Sequence, residues 1–557
     1  MIELILKPME AELKRSKDIS IKGIKEKVYY ISNHIRESKS YNIIAEDGTL
    51  VHFNPSHKRQ CDVRVGLGSY NDDSSGSAHS EITLDGHKDN THKRITDNIR
   101  RVLWISTDKA YEMAISEDLK RKERIAREQV KLSSLFSKQP RYTHIEKYKP
   151  LEFNVRRWKG IARELSDLIS RDKRVLISDV SVSANKDWDY FVNTEGSRIF
   201  HQSSFYNLRL YASARGLDHK RRKEDGTEVN FVKVYHLRDY KELPSFKKLA
   251  SDAEKLIETL DKLRKAEKLR VSETYPAILN QSSHATFWHE VVGHRFEMRS
   301  VNIEQGEEGD DEGDDDECGM GDDDFSSMKN RKITNSLITI EMDPTLRKYN
   351  GKSLNGHYKF DDEGVKPKKV TLIKNGRIKD FLMGRQYRGY ESLKKHKSNG
   401  HGRYEDPSQL PSPRMSNLII RSENPCTTEE LKGMLLEECR KQGKEFGFII
   451  RDFEVGGYTS LGEGYFSIDP TLIYKVDAKT GKESLVRGLR IIGTRLHALE
   501  GIIAMDDDYS VSHGNCGSDS GWIPVSEIAP RALMKRIEFK SQPQQNKRKL
   551  ILPPPRE

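Results

Sequence analysis

Two imidazoles and a carboxylate fall within the six residues His289-Glu290-Val291-Val292-Gly293-His294, and their spacing restricts the backbone that can carry them. Zinc helices of the H-E-x-x-H type bring two histidines to one metal at an interval of four residues, with the glutamate polarising water. Here the second histidine comes at i+5. A regular helix turns about 100° per residue, so the two side chains would diverge by roughly 140°. Both can reach one metal only if the helix is locally widened. A π-type bulge would do this, and Gly293 beside the second histidine would ease the distortion. The motif is therefore either a metal site on a deformed helix or a chance pattern in a long chain.

The chain has 557 residues, too many for one typical core, so two or three domains are expected. Charged side chains make up 33% of it and its mean hydropathy is -0.77. No apolar run approaches the roughly 18 residues a membrane-spanning helix needs. The start, MIELILKPMEAELKRS, lacks the basic and long apolar regions of a secretion signal. Cys61, Cys318, Cys426, Cys439 and Cys516 form no C-x-x-C pair, which fits a reducing compartment and makes the cytoplasm the expected location.

The net charge of +10 is unevenly spread, because residues 304–324 hold thirteen acidic side chains and no Lys or Arg. The remainder carries about +23. A basic balance can mean nucleic-acid binding. Here, however, Lys and Arg alternate with Glu and Asp, as in Leu119–Glu128, which marks a solvated helix face. Neither nucleic acid nor membrane is the expected partner.

Apolar periodicity sets the expected fold class as α+β, an α/β N-terminal domain followed by a mostly antiparallel, β-rich C-terminal domain. The first domain, 1–268, opens with a helix over Met9–Arg15. A meander follows, with strands at Val28–Ser32, Tyr41–Ala45 and Leu50–Phe53, Asp47-Gly48 as a hairpin turn, and a further strand at Cys61–Leu67. A long helix is expected over about 92–132 and another near Trp158–Ile169. Strands follow at Val175–Ser183, Tyr190–Thr194 and Asn207–Ala214, then a charged helix from Pro244 with Leu249, Leu256, Leu260 and Leu263 on one side. The second domain, 269–541, begins with an extended segment and the motif helix, Ala285–Met298, at the junction. The acidic stretch 304–324 reads as a surface loop, and 542–557 as a disordered tail. Strands are expected at Leu337–Met342, Leu418–Arg421, Phe448–Val455, Tyr465–Ile468 and Leu472–Val476, with a hairpin turn at Asn375-Gly376.

Catalytic zinc needs a third protein ligand. Cys516 sits between Gly514 and Gly517, and its thiolate is a soft ligand suited to zinc; a small buried thiol is the competing reading. With these residues in view, the chain resembles the TldD/PmbA metalloproteases, once called modulators of DNA gyrase. The resemblance covers most of the sequence and rests on His289–Glu297, Asp361–Gly376, Leu410–Asn417, Gly456-Gly457 and Gly514–Gly517, in the family's order. Asp62–Tyr70 and Trp104–Tyr111 also look like the family.

The resemblance implies that His289, His294 and Cys516 hold the metal, Zn²⁺ or alternatively Fe²⁺, and that Glu290 is the catalytic glutamate. It implies a homodimer, or a heterodimer with a related subunit, acting on unfolded or short peptides. Because the ligands are all kept, the chain looks like the active, TldD-like subunit. Glu290 would serve as general base, with the peptide bound as an added strand. Gly456 and Gly457 would allow close backbone approach or make a turn. Arg414 and Arg403 would grip a peptide carboxylate or fix the loop, and His513 is an added imidazole without an assigned role. Two departures from the family pattern stand out: the long acidic insertion, and Gly-Ser-Asp-Ser-Gly-Trp after Cys516, where a Lys and a Gln are common. An idle partner subunit and a nucleic-acid-associated protein are the alternatives.

Overall fold

The chain begins its first sheet as one long hairpin. In a computed structural model, which describes residues 2–542 except 23, 74–78, 84–91, 129–132, 221–222, 299–327, 390–396, 461–464 and 495–498, β1 (Val28–Glu46) pairs with β2 (Thr49–Ser69) along its length. Asp47 and Gly48 turn the chain with φ of 46° and 73°, the positive values a two-residue type I′ turn requires. The strands expected separately between 28 and 67 are thus two continuous ones. The polar run Ser32–Ser40 hid the continuity, because Ser32, Asn33, His34, Arg36 and Glu37 are buried in mid-strand. β3 (Ile177–Asn193), β4 (Arg198–Leu217) and β5 (Glu224–Leu237) extend the sheet, all antiparallel, in the order β2-β1-β3-β4-β5.

Strand alternation assigns the two faces of this sheet different partners. Ile31, Ile35 and Ile43 share one face. Over one end lie α1 (Ile2–Ser16) and α2 (His92–Glu128), contributing Ile5, Met9, Ile99 and Leu103. Over the other lie α3 (Val155–Ser170) and α4 (Phe246–Lys265), whose Leu249, Leu256 and Leu260 form the expected stripe. Asn154 and Ser245 cap these two helices through side-chain oxygens. The opposite face carries His34, Arg36 and Asp189 and meets residues of the second half: Arg36 pairs with both Asp189 and Asp362, and His34 bonds the Tyr404 hydroxyl.

The second half supplies β6 (Ser272–Leu279), α5 (Gln281–Val291), β7 (Ile338–Met342), β8 (Val370–Lys374), β9 (Asn417–Ser422), α6 (Thr428–Lys441), β10 (Phe446–Ser460), β11 (Tyr465–Asp477), β12 (Ser510–Cys516), β13 (Ile523–Ala529) and β14 (Ala532–Ser541). One sheet runs β11-β10-β6-β14 and another β8-β7-β9-β13-β12. Only β6/β10 and β9/β13 are parallel among these pairs. The helix α6, closed by a Thr427/Glu430 capping box, was not anticipated from the sequence. α5 lies between the two sheets, with Phe287, Trp288 and Val291 in the same core as Ile340, Leu418 and Phe448. No helix among the described residues is long and apolar enough to cross a membrane. The acidic stretch 304–324 and residues 543–557 lie outside the described residues.

Candidate metal centre

The motif helix stops short of its second histidine. α5 ends at Val291, Val292 leaves the helical region at φ -133°, and Gly293–Phe296 forms a separate 3₁₀ turn. The π bulge expected at Gly293 is therefore replaced by a break, which re-aims His294 without keeping one helix axis. Gly293 is needed here for space: a Cβ built on it would sit 2.5 Å from Met415 Sδ.

This break brings His289 and His294 together with Cys516, the last residue of β12. One ligand atom from each of the three lies within 4.8 Å of the others, and the imidazole centroids are 5.2 Å apart. His294 Nε2 is 3.6 Å from Cys516 Sγ. Tetrahedral zinc with bonds of about 2.0–2.3 Å needs ligand separations of about 3.3–3.8 Å, so a small contraction of the trio suffices. Two imidazoles and a thiolate are a donor set suited to zinc.

Two carboxylates orient the imidazoles. His289 Nδ1 is 2.6 Å from Glu527 Oε1, and His294 Nδ1 is 3.0 Å from Glu297 Oε2. With Nδ1 held by a carboxylate, each ring turns its Nε2 toward the common point, as the second shell of metal-bound histidines usually does. Glu297 is wholly buried and also accepts from the Met415 amide at 2.9 Å. The sequence marked Glu297 only as part of the motif run, and it gave no sign of Glu527. Pairing of β12 with β13 is what brings that residue to the site.

Charge is concentrated here and compensated internally. Burial alone would raise the Cys516 thiol, but His294, His289 and Arg414 hold it well below the ordinary range, as a thiolate. Against the same burial, Cys516 and Glu297 lift His294 to about 10, and Cys516 with Glu527 raises His289. Glu290, next to a ligand and half-buried, has its carboxyl raised by burial, with both histidines opposing the shift.

The remaining predicted residues fall in different places. Arg414, fully buried, donates to Cys516 O at 2.7 Å, Cys516 Sγ at 3.2 Å and Gly521 O at 2.9 Å, so it fixes the cysteine loop instead of reaching toward substrate. Arg403 donates to Met415 O and Pro524 O, stacks 4.7 Å over Tyr358, and lines a cavity of about 860 Å³. His513 is three residues before Cys516 on the same strand, an odd interval that sets the two on opposite faces. Its ring bonds Ser526 Oγ at 2.8 Å, and burial pushes it down to about 4. Gly456 and Gly457 lie in β10, where pairing with β11 is irregular between Phe453 and Tyr458.

Comparison with known proteins follows the same outline. Residues 272–541 match the PmbA/TldA metallopeptidase C-terminal domain. A metalloprotease TldD homolog of Buchnera aphidicola is 23% identical over 529 residues, 91% of each chain. A zinc metalloprotease TldD homolog of Saccharolobus solfataricus is 24% identical over 264 residues, 47% of this chain and 51% of its own. TldE from Thermococcus kodakarensis shares the fold, with a TM-score of 0.59 at 12% identity, covering 96% of this chain and all of the other. Fold and matched domain thus define the class, a mixed α+β protein with a metallopeptidase-type C-terminal half. Residues 272–541 thus belong to that metallopeptidase C-terminal domain, and the chain as a whole is similar to TldD proteins over 91% of its length.

Proposed function

We propose that the protein is a metal-dependent peptidase acting on unfolded or short peptides. The observation that carries this reading is the convergence of His289, His294 and Cys516 with both histidine Nδ1 atoms taken by carboxylates. These three side chains would hold Zn²⁺, the metal in the name of the Saccharolobus relative, with Fe²⁺ as the alternative. A bound metal ion would polarise the scissile carbonyl and acidify water.

The chain's own residues supply the rest. Glu290, its carboxyl raised toward neutrality by burial, takes a proton from water and returns it to the leaving amine. Glu297 and Glu527 hold the imidazoles in register, and Arg414 fixes the backbone and sulfur of Cys516. A peptide pairing with exposed backbone of the β-rich half, near Gly456 and Gly457, would explain a need for unfolded chains.

The same reading treats 1–268 and 269–541 as two domains and places the protein in the cytoplasm. It makes the protein one subunit of a homodimer or of a TldD/TldE-like pair. Replacing Glu290 by Gln is expected to lower kcat for an unstructured peptide by at least about 100-fold while metal content is retained, in line with the usual contribution of general acid–base groups. Undiminished turnover in that variant would instead support an idle partner subunit whose apparent activity comes from a contaminant.

A further inference from the structure

The cavity of about 860 Å³ opens between the polar face of the first sheet and segments of the second half. Ile523 and Pro524 form part of its wall, and across the β12/β13 pair they face Cys516 and Asn515. Cavity and candidate metal ligand therefore share one strand pair.

Charge on the cavity walls is unequally matched. Three acidic groups are ion-paired: Asp189 and Asp362 accept from Arg36 at 2.7 and 2.6 Å, and Glu146 from Lys359 at 2.6 Å. Asp187 accepts from Ser38 Oγ and Asn185 Nδ2. Asp361 accepts from the backbone amides of Val365 and Gly402. The basic groups are different. Lys186 is 5% exposed, and its Nζ donates to Ser204 Oγ at 3.2 Å. Arg238 lies 4.4 Å over the Phe205 ring and donates to Asn355 O; Arg403 donates to two backbone carbonyls. Among the described residues none of these three cations forms an ion pair.

A buried cation that forms no ion pair recovers only part of its lost hydration. The titration behaviour agrees. Burial pushes Lys186 down to about 8 against the attraction of Glu146 and Asp187, and burial together with Arg403 pushes Arg238 to about 10 against that of Asp187 and Glu242. His357, half-buried and facing Arg238, Arg347 and Lys359, is pushed down to about 4 by burial and by those cations. A carboxylate entering the cavity would receive charge-assisted hydrogen bonds from groups that otherwise repel one another.

We infer that this cavity is a substrate subsite for peptide carboxylates, engaging a Glu or Asp side chain or the chain terminus through Lys186, Arg238 and Arg403. The inference rests on the peptidase reading and names its substrate class: peptides carrying negative charge close to the scissile bond.

The test is fluorescence anisotropy of labelled octapeptides on the full-length Glu290→Gln protein, where hydrolysis is slowed enough for binding to be read. One peptide carries two central glutamates and its counterpart two glutamines, each with a free or an amidated C-terminus. The carboxylate-bearing forms are expected to bind at least about 10-fold more tightly than the amidated glutamine peptide, a difference that charge-assisted hydrogen bonds readily supply. In Lys186→Met/Arg238→Gln the preference should fall below about twofold. A preference that follows the internal glutamates identifies a side-chain subsite, one that follows the free terminus identifies an end-binding subsite, and both support the inference.

Equal binding of all four peptides, or a preference that survives the double substitution, overturns it. Lys186→Met alone controls for folding. Removing an unpaired buried cation should leave the melting temperature unchanged or raised, whereas a clear drop would mark Lys186 as a structural contact and count against the subsite. Since this assay reads binding alone, an enzyme that fails to cleave refutes the peptidase reading without altering the outcome here.

Discussion

Glu297 and Glu527 decide where the two imidazoles of the motif point. A carboxylate on Nδ1 fixes the tautomer and adds electron density to Nε2, and losing such a partner typically lowers metal affinity by 10–100-fold. Glu527→Gln keeps an oxygen acceptor but removes the charge. We therefore expect about a tenfold weaker metal affinity in competition with a chelator, with the fold retained; an unchanged affinity would show that His289 needs no such partner. Of the residues at the site, His289, Glu290, His294 and Cys516 were legible in the sequence, because their chemistry is distinctive and the resemblance picks out their positions. Glu527 was not legible, since one glutamate among many is distinguished only by strand pairing that sets it opposite the metal loop. Arg414 was expected to grip a peptide carboxylate or fix the loop, and its contact with Cys516 is one a sequence cannot show.

The helix α5 and the turn after it carry the larger surprise. An i+5 spacing demanded a distortion, and the sequence reading supplied a bulge where the chain instead breaks at Val292 and restarts as a 3₁₀ turn. Spacing fixes the angle that must be absorbed, but not whether a helix bulges or ends. At the break Met415 packs against Gly293 closely enough that an added Cβ would have to displace its thioether. Gly293→Ala should therefore destabilise the fold by about 1 kcal/mol, the low end of the cost of overpacking, because the displaced group is the flexible end of Met415. It should also weaken metal binding by displacing His294. Denaturant unfolding and metal titration of the variant check both effects, and wild-type values in the two would remove the steric argument. The long strands fared similarly: their apolar ends were readable, and the Asp47-Gly48 turn with its positive φ was placed correctly. Their polar middles read as breaks because the partners that bury them lie more than three hundred residues away.

Those distant partners join the two halves of the molecule. Arg385, 2% exposed, reaches from the second half to Glu195 at 2.7 Å, the Tyr30 hydroxyl at 3.0 Å and Ser137 O at 3.0 Å, and stacks on Tyr30 and Phe136. Replacing it with Met would leave the Glu195 carboxylate buried without its cation, a loss of about 3–5 kcal/mol when one partner of a buried pair is removed. Urea unfolding of Arg385→Met should show that loss, and a midpoint equal to wild type would mean the halves are joined by other contacts. Joining them matters because the cavity is walled by both and shares the β12/β13 pair with Cys516. The α+β class and the β-rich second half followed from periodicity; the polar interface did not, because burial of charge depends on tertiary pairing. All of this bears on the proposed metal centre, in which Cys516 joins His289 and His294 from more than two hundred residues downstream. Elemental analysis of the purified protein and of Cys516→Ala, after identical dialysis against a weak chelator, tests that claim most directly. The expected result is close to one zinc or iron per wild-type chain and little in the variant, whereas full metal retention in Cys516→Ala would contradict it.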